Sequence, residues 1–210
     1  MKKSSSSKQW LRRHVNDPYV QRSKKEGFRS RSAYKLLEID ERDKLLRPGQ
    51  LVVDLGSAPG GWSQVAAKKA GSSGDVIAID LLEMEAIAGV TFLQADFTSR
   101  AGLKAVQSAL AGRKADIVLS DMAPNMTGIP VTDQARAMAL AEIALEFARL
   151  HLKPDGMLLV KVFQGAGHAE YIKALRESFA KVLVRKPESS RGESAEQYVL
   201  ARGLKAGATP

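Results

Sequence analysis

The sequence contains no cysteine and only three histidines, at positions 14, 151 and 168. The absence of cysteine excludes disulfide bonds, thiolate metal sites and a cysteine nucleophile. The histidines lack the spacing of metal ligands, so no metal site is expected. No apolar run approaches the roughly 18 residues of a membrane span, and no apolar segment follows the basic N-terminus as in a signal peptide. We therefore expect a soluble, cytoplasmic, monomeric protein that makes no contact with a membrane.

The positive charge is concentrated at one end of the chain. Residues 1–35 contain eleven Lys or Arg residues and two acids, and this surplus equals the net charge of +9 of all 210 residues. Trp10, Tyr19 and Phe28 lie between the charges, where aromatic rings can stack on bases. The pattern predicts a nucleic-acid-binding extension over residues 1–30, with residues 1–9 disordered. A solvated tail that only aids solubility is the alternative. The basic residues expected to contact the nucleic acid include Lys24, Lys25, Arg29 and Arg31.

Beyond the extension, apolar runs alternate with segments of helical periodicity. Strands are predicted at 51–54, 75–80, 90–95, 116–120, 157–163, 181–185 and 197–202, and helices at 31–46, 62–70, 99–111, 133–152 and 168–179. This alternation is typical of an α/β domain with a doubly wound, mostly parallel sheet of seven strands. The last two strands follow each other without a helix, which predicts one antiparallel member.

A glycine-rich loop joins the first strand to the next helix. Residues 54–63 read D-L-G-S-A-P-G-G-W-S, with an acid at the strand end and glycines at 56, 60 and 61. Such a loop brings backbone N–H groups close to a ligand. The spacing differs from G-x-G-x-x-G and lacks the Lys-Ser/Thr of a P-loop, so it favours a nucleoside with a cationic side chain, such as S-adenosylmethionine. A nicotinamide dehydrogenase and an ordinary tight turn are the alternatives.

Four successive strands end in an aspartate: Asp54, Asp80, Asp96 and Asp121. The carboxyl ends of parallel strands form the ligand-binding edge of such a sheet. Asp80 is placed to accept both ribose hydroxyls of a nucleoside, and Asp96 is placed to face an adenine amino group. A single aspartate in this position is often only a helix cap, but four in succession predict a ligand site.

Lys161 interrupts the apolar run 157–163, which has the pattern of a central buried strand. Lysine is almost never fully buried without a partner. Two interpretations follow: the side chain reaches out to water from the strand end, or it is held near carboxylates and other cations as a functional amine.

Several motifs together resemble the FtsJ/RrmJ methyltransferases. The resemblance spans residues 10–201, and its motifs are 29–36, 54–64, 120–125, 160–165 and 186–191. It implies a Rossmann-like S-adenosylmethionine-dependent methyltransferase domain over residues 31–210. It also implies RNA as the nucleic acid, with Arg191 as a further RNA-binding residue.

The same resemblance implies the roles of individual residues. A K-D-K-E tetrad for 2′-O-methylation of ribose falls on Lys35, Asp121, Lys161 and Glu196. The cofactor contacts fall on Gly60, Trp62, Asp80, Asp96 and Asp121, in addition to Asp54 and Gly56 of the glycine-rich loop. The implied substrate is a uridine of large-subunit 23S ribosomal RNA on the assembled 50S subunit. Transfer RNA ribose as the substrate, or a non-catalytic ribosome-assembly factor, are the alternatives.

Overall fold

The computed structural model describes residues 17–190 and 194–207. The strands are β1 (Leu51–Leu55), β2 (Asp75–Asp80), β3 (Val90–Gln94), β4 (Ala115–Ser120), β5 (Leu152–Phe163), β6 (Phe179–Arg185) and β7 (Glu196–Leu204). The helices are α1 (Pro18–Glu26), α2 (Ser32–Asp43), α3 (Gly61–Ala70), α4 (Arg100–Leu110), α5 (Pro130–His151) and α6 (His168–Ser178), and a 3₁₀ turn spans Gly71–Ser73.

The strands form one seven-stranded sheet in the order β3-β2-β1-β4-β5-β7-β6. Neighbouring pairs from β3 to β5 are parallel, whereas β7 is antiparallel to both β5 and β6. The predicted doubly wound sheet with a single antiparallel strand is therefore confirmed. Because β7 runs antiparallel to β5, it begins at the edge where the parallel strands end.

Helices cover both faces of the sheet. Alternate residues of β1 point to opposite sides, so Val53 packs in the cluster with α4, α5 and α6, while Val52 packs in the cluster with α2 and α3. Both valines are fully buried, and each such side chain contributes about 1.5–3 kcal/mol through removal of its apolar surface from water. β1 is thus buried on both faces, as its continuous apolar run predicted.

Several predicted boundaries differ from the structure by two or more residues, and two of these differences have a local structural reason. The helix predicted over 31–46 ends at Asp43, because Lys44 adopts a left-handed conformation (φ 52°). The Asp40 carboxylate accepts hydrogen bonds from the Leu45 and Leu46 N–H groups at 2.9 and 2.8 Å, which turns the chain away from the helix axis. The strand predicted over 157–163 begins earlier, at Leu152, and its additional residues include an irregularity where the register of β5 against β4 shifts.

The predicted disordered residues 1–9 lie outside the described part of the chain. Its first helix, α1, begins after Asp17, whose side chain accepts a hydrogen bond from the Tyr19 N–H at 3.0 Å. The division of the chain at residue 30 stays a prediction. No helix among the described residues combines the length and apolar character needed to cross a membrane.

A partly buried ion pair connects the end of α2 to β6. Arg185 donates from Nε and Nη2 to the two carboxylate oxygens of Asp43 at 2.6 and 2.7 Å, and the two side chains are 13% and 10% exposed. Arg202 also donates to the Asp43 carbonyl. The hydrogen bonds from Arg185 lower the pKa of Asp43 below its ordinary value.

Replacement of Asp43 by Asn should reduce the free energy of unfolding at neutral pH by about 1.5–3 kcal/mol, the range for hydrogen bonds to charged groups. Because the folded-state pKa is lowered, the carboxylate stabilises the fold above the unfolded-state pKa of about 3.9. That contribution disappears as the pH falls through the folded-state value. Urea unfolding of both proteins between about pH 7 and pH 3 measures the difference, with Glu177→Gln on α6 as the control. A difference that does not narrow at acid pH would contradict this account.

Candidate active site

The carboxyl ends of β1, β4 and β5 lie side by side at one edge of the sheet. In the strand register Leu55 pairs with Ser120, and Ser120 pairs with Val160. The residues that follow, Asp121 and Lys161, therefore leave neighbouring strands at the same level. The sheet itself places this carboxylate and this amine together.

β7 and α2 bring further polar side chains to this edge. Because β7 runs against β5, Glu196 pairs with Phe163 and Tyr198 pairs with Lys161. α2 packs beside these side chains and places Lys35 Nζ 2.6 Å from Glu196 Oε1. The structure thus brings together all four residues of the predicted tetrad.

Hydrogen bonds and one cation–π contact connect these side chains into one network. Lys161 Nζ donates to the Asp121 carbonyl oxygen at 2.6 Å and to Asp121 Oδ1 at 3.1 Å. The Tyr198 hydroxyl donates to the same Oδ1 at 2.7 Å. Lys35 Nζ lies 5.6 Å from the centre of the Tyr198 ring, within the range of a cation–π interaction. Tyr198 therefore links the Lys35–Glu196 pair to the Asp121–Lys161 pair.

The network is buried. The Lys161 side chain is 7% exposed and ion-paired with Asp121, so the interpretation that this lysine reaches out to water is wrong. Burial raises the pKa of Tyr198 well above its ordinary value, and the negative charges of Asp121 and Glu196 raise it further. Tyr198 consequently keeps its proton at physiological pH and stays a hydrogen-bond donor to Asp121.

Tyr198 and Ser190 were not predicted from the sequence. Ser190 Oγ donates to Glu196 Oε1 at 3.0 Å, so this carboxylate oxygen receives two donors. The signal for Tyr198 was present: it lies two residues after Glu196 in a strand, and side chains at that spacing share a face. Ser190 comes from the loop after β6, and no sequence periodicity predicts its position.

The glycine-rich loop contacts the loops that follow β4 and β2. Gly56 has φ 76°, and a Cβ atom there would lie 2.6 Å from Met122 Cγ. Gly60 has φ 111°, and a Cβ atom there would lie 2.8 Å from Ile87 Cδ1 and 3.0 Å from Met84 Sδ. Only glycine accommodates both this backbone conformation and these contacts. The loop is therefore fixed between its neighbours, with backbone at the ligand-binding edge.

Polar atoms beneath this loop fit a cationic ligand. Asp54 Oδ2 accepts a hydrogen bond from Ser63 Oγ at 2.6 Å, whereas Asp54 Oδ1 and Ser57 Oγ are buried without a hydrogen-bond partner among the described residues. Burial raises the pKa of Asp54 to about 7, and the charges of Asp121 and Asp80 contribute in the same direction. Three carboxyl groups thus create a negative potential that a sulfonium cation would relieve.

The other predicted cofactor residues take different positions. Asp80 ends β2 and accepts hydrogen bonds from the Ala58 and Leu82 N–H groups at 2.9 and 2.8 Å, which fixes the crevice between β1 and β2. Asp96 accepts from the Thr98 N–H and hydroxyl with its Oδ1. The Trp62 indole is buried and donates to a backbone carbonyl, so its backbone N–H in the first turn of α3 is the group placed for a ligand.

The predicted RNA-binding residues differ in how they are engaged. Lys24 and Lys25 are exposed in the last turn of α1. Arg31 is ion-paired with Asp17 and donates to the Ser189 carbonyl. The side-chain donors of Arg29 bind backbone carbonyls of two loops. Arg191 lies outside the described residues, and RNA contact by all these residues stays a prediction.

A metal site was not expected. In residues 17–190 and 194–207, no three His, Cys, Asp or Glu side chains are grouped so that they could hold a metal ion. The negative potential at the acidic edge of the sheet suits an organic cation.

Comparison with known proteins gives the site its context. The family model of the FtsJ-like methyltransferases matches residues 28–204. The ribosomal RNA large subunit methyltransferase E of Dechloromonas aromatica is 55% identical over 205 residues, covering 98% of this chain and 100% of the relative. The protein of the same name from Chromohalobacter salexigens is 58% identical over 201 residues, 96% of each chain. A crystal structure described as a ribosomal RNA methyltransferase of Plasmodium falciparum has a TM-score of 0.76 and 27% identity, and covers 84% of this chain and 98% of its own.

These matches confirm the resemblance seen in the motifs and exclude the nicotinamide dehydrogenase that the loop spacing left open. The predicted cofactor is confirmed as well, because FtsJ-like methyltransferases depend on S-adenosylmethionine. The family model spans all four residues of the predicted tetrad, and the matches to the relatives cover nearly the full length of both chains. The chain therefore belongs to the family of FtsJ-like methyltransferases.

Proposed function

We propose that this protein methylates the 2′-hydroxyl of a uridine ribose in 23S ribosomal RNA, on the assembled 50S subunit. The observation that carries the proposal is the buried network in which Asp121 binds both Lys161 and Tyr198, next to the Lys35–Glu196 pair. Such a set supplies a base, a group that orients it, and charges that hold a sugar. The names of the relatives support large-subunit ribosomal RNA as the substrate, and a substrate of this kind supports a cytoplasmic location.

The cofactor crevice lies next to this network. S-adenosylmethionine supplies an electrophilic methyl group on a sulfonium cation. Asp80 and the glycine-rich loop hold the nucleoside part, and Asp96 is placed for the adenine. The carboxyl groups of Asp54 and Asp121 give the sulfonium a negative environment. Holding the two reactants in line provides much of the rate acceleration.

Lys161 acts as the general base. In its amine form it accepts the proton of the 2′-hydroxyl while the bond from that oxygen to the methyl carbon forms and the bond from sulfur to the methyl carbon breaks. The resulting ammonium is stabilised by the Asp121 carbonyl and carboxylate oxygens, at 2.6 and 3.1 Å. A positioned base of this kind contributes about 10²–10⁴-fold to the rate.

The Lys35–Glu196 pair positions the ribose. Its side chains are only 13% and 12% exposed and 2.6 Å apart, so they present one donor and one acceptor in a fixed arrangement. A sugar offers neighbouring hydroxyl groups that can bind both. The pair also keeps this side of the network electrically neutral before substrate binds.

RNA reaches the site along the basic extension. Lys24 and Lys25 are exposed in the last turn of α1, and α1 precedes α2, which carries Lys35. Phosphate contacts by these lysines would direct the RNA strand toward the ribose site without reading its sequence. The division into an extension over residues 1–30 and a methyltransferase domain over residues 31–210 is part of this proposal.

Lys161→Ala should reduce kcat by at least about 10²-fold, because it removes the base. The dissociation constant of S-adenosylmethionine should stay within about twofold. Transfer of radiolabelled methyl groups to 50S subunits, naked 23S RNA and transfer RNA measures the rate and identifies the substrate, and Lys181→Ala on β6 is the matched control. An active Lys161→Ala protein would exclude the assigned base. A wild-type protein that binds RNA and transfers no methyl group would indicate an assembly factor.

Tyr198→Phe removes one hydroxyl and retains the buried ring. Removal of a hydrogen bond to a carboxylate costs about 1.5–3 kcal/mol, so kcat should fall roughly tenfold or more if Tyr198 orients Asp121 in the transition state. The KM for S-adenosylmethionine should change little. Steady-state kinetics gives both values, and circular dichroism controls for folding. An unchanged kcat would show that the tyrosine only fills space.

A double Lys24→Ala, Lys25→Ala variant should bind the RNA more weakly, and its RNA affinity should depend less on salt concentration. Removing one lysine–phosphate interaction reduces the slope of log affinity against log salt by about one, so the slope should change by about two. Filter binding over a range of salt concentrations measures it, and Lys104→Ala with Lys181→Ala supplies a control of equal charge. If both double variants behave alike, the extension makes no specific phosphate contact at these lysines.

A further inference from the structure

The segment between α1 and α2 lies along the glycine-rich loop and the first turn of α3. Gln64 accepts a hydrogen bond from the Arg29 N–H at 2.9 Å and donates to the Gly27 carbonyl at 3.1 Å. The Trp62 indole N–H donates to the Ser32 carbonyl at 2.8 Å. The backbone of residues 27–32 is thus fixed to the element that carries the cofactor loop.

The Arg29 side chain extends this contact to a second loop. Its Nη1 donates to the Glu85 carbonyl at 2.6 Å and to the Pro59 carbonyl at 3.4 Å, and its Nη2 donates to the Ala86 carbonyl at 2.8 Å. The side chain is 21% exposed, and the Glu85 carboxylate is 4.0 Å away and 95% exposed, so that ion pair contributes little. The guanidinium therefore serves chiefly as a connection between backbone carbonyls.

The two connected loops border the same crevice. One follows β1 and contains Pro59 and Gly60, and the other, residues 81–89, follows the adjacent strand β2. The second loop has no regular secondary structure, and Leu81 and Leu82 at its start are 63% and 68% exposed. A loop with few buried contacts opens readily unless it is held by hydrogen bonds. Arg29 supplies two of them, and its Cδ lies 3.1 Å from where a Cβ of Gly60 would be.

We infer that Arg29 is a positioning residue of the cofactor crevice, which holds the loops after β1 and β2 at the correct separation for S-adenosylmethionine. The inference rests on the proposed placement of the cofactor in this crevice. It assigns to Arg29 a role other than the phosphate contact that its basic neighbours suggest. A lysine cannot replace it fully, because a single ammonium lacks the planar fork that reaches carbonyls of two loops.

Isothermal titration of the full-length protein with S-adenosylmethionine tests the role, in parallel with RNA filter binding over a range of salt. Arg29→Ala should raise the dissociation constant of S-adenosylmethionine at least about tenfold, and Arg29→Lys should restore part of the affinity. RNA affinity and its salt slope should match the wild type. Hydrogen exchange should accelerate in residues 81–89 and remain unchanged in the strands. Arg42→Ala, an exposed arginine of α2, is the matched control.

Three results would overturn the inference. Unchanged cofactor affinity with weaker, less salt-dependent RNA binding would identify Arg29 as a phosphate ligand. Wild-type values for both ligands would leave it no positioning role. Weaker binding of both ligands together with faster exchange in the strands would show a general effect on stability. Failure of the proposed function gives a different result, since a wild-type protein that binds the cofactor and transfers no methyl group leaves the Arg29 measurement intact.

Discussion

One carboxylate oxygen, Oδ1 of Asp121, receives both the Lys161 amine and the Tyr198 hydroxyl, at 3.1 and 2.7 Å. This double hydrogen bond requires β4, β5 and β7 to be consecutive neighbours. It also requires β7 to be antiparallel, since only then do residues near its beginning reach the carboxyl edge of the parallel strands. The order and direction of the strands therefore determine which polar side chains meet at this edge of the sheet. A polar network of this kind is stable when buried because its members satisfy one another.

The side of the site that is predicted to bind the cofactor differs from this network, because its polar atoms are not all paired. There Asp54 is buried with one oxygen unpaired among the described residues, and its pKa is raised to about 7. The protein tolerates this unfavourable burial of a carboxyl group beneath the glycine-rich loop, at the position where a cation is expected. The hydrogen-bonding groups around Asp121 are paired with one another, whereas the side predicted to bind the cofactor retains an unpaired carboxylate oxygen that a cationic ligand would satisfy. Ligand sites often carry such local costs, which the rest of the fold must outweigh.

Sequence reasoning predicted the sheet, its antiparallel strand and the cofactor loop, because apolar runs, glycines and strand-end aspartates are local signals. Lys161 was conspicuous for a similar reason, as a charge within an apolar run. Lys35 and Glu196 were assigned only through the resemblance, since each is ordinary within its own segment and they meet only in the fold. Arg29 shows most clearly what sequence reasoning cannot predict. Its sequence neighbours are basic, yet its partners are backbone carbonyls of two loops, and backbone carbonyls leave no mark in a sequence.

Because β7 is the last strand in the sequence, the network at the edge of the sheet is completed late in synthesis. Residues up to about 122 contain the groups that surround the cofactor crevice, whereas Glu196 and Tyr198 belong to the last strand. Domains generally fold as units during synthesis. A nascent chain therefore lacks a complete network until β7 has left the ribosome and inserted between β5 and β6. If the network has the proposed role, methyl transfer requires a chain in which β7 is in place.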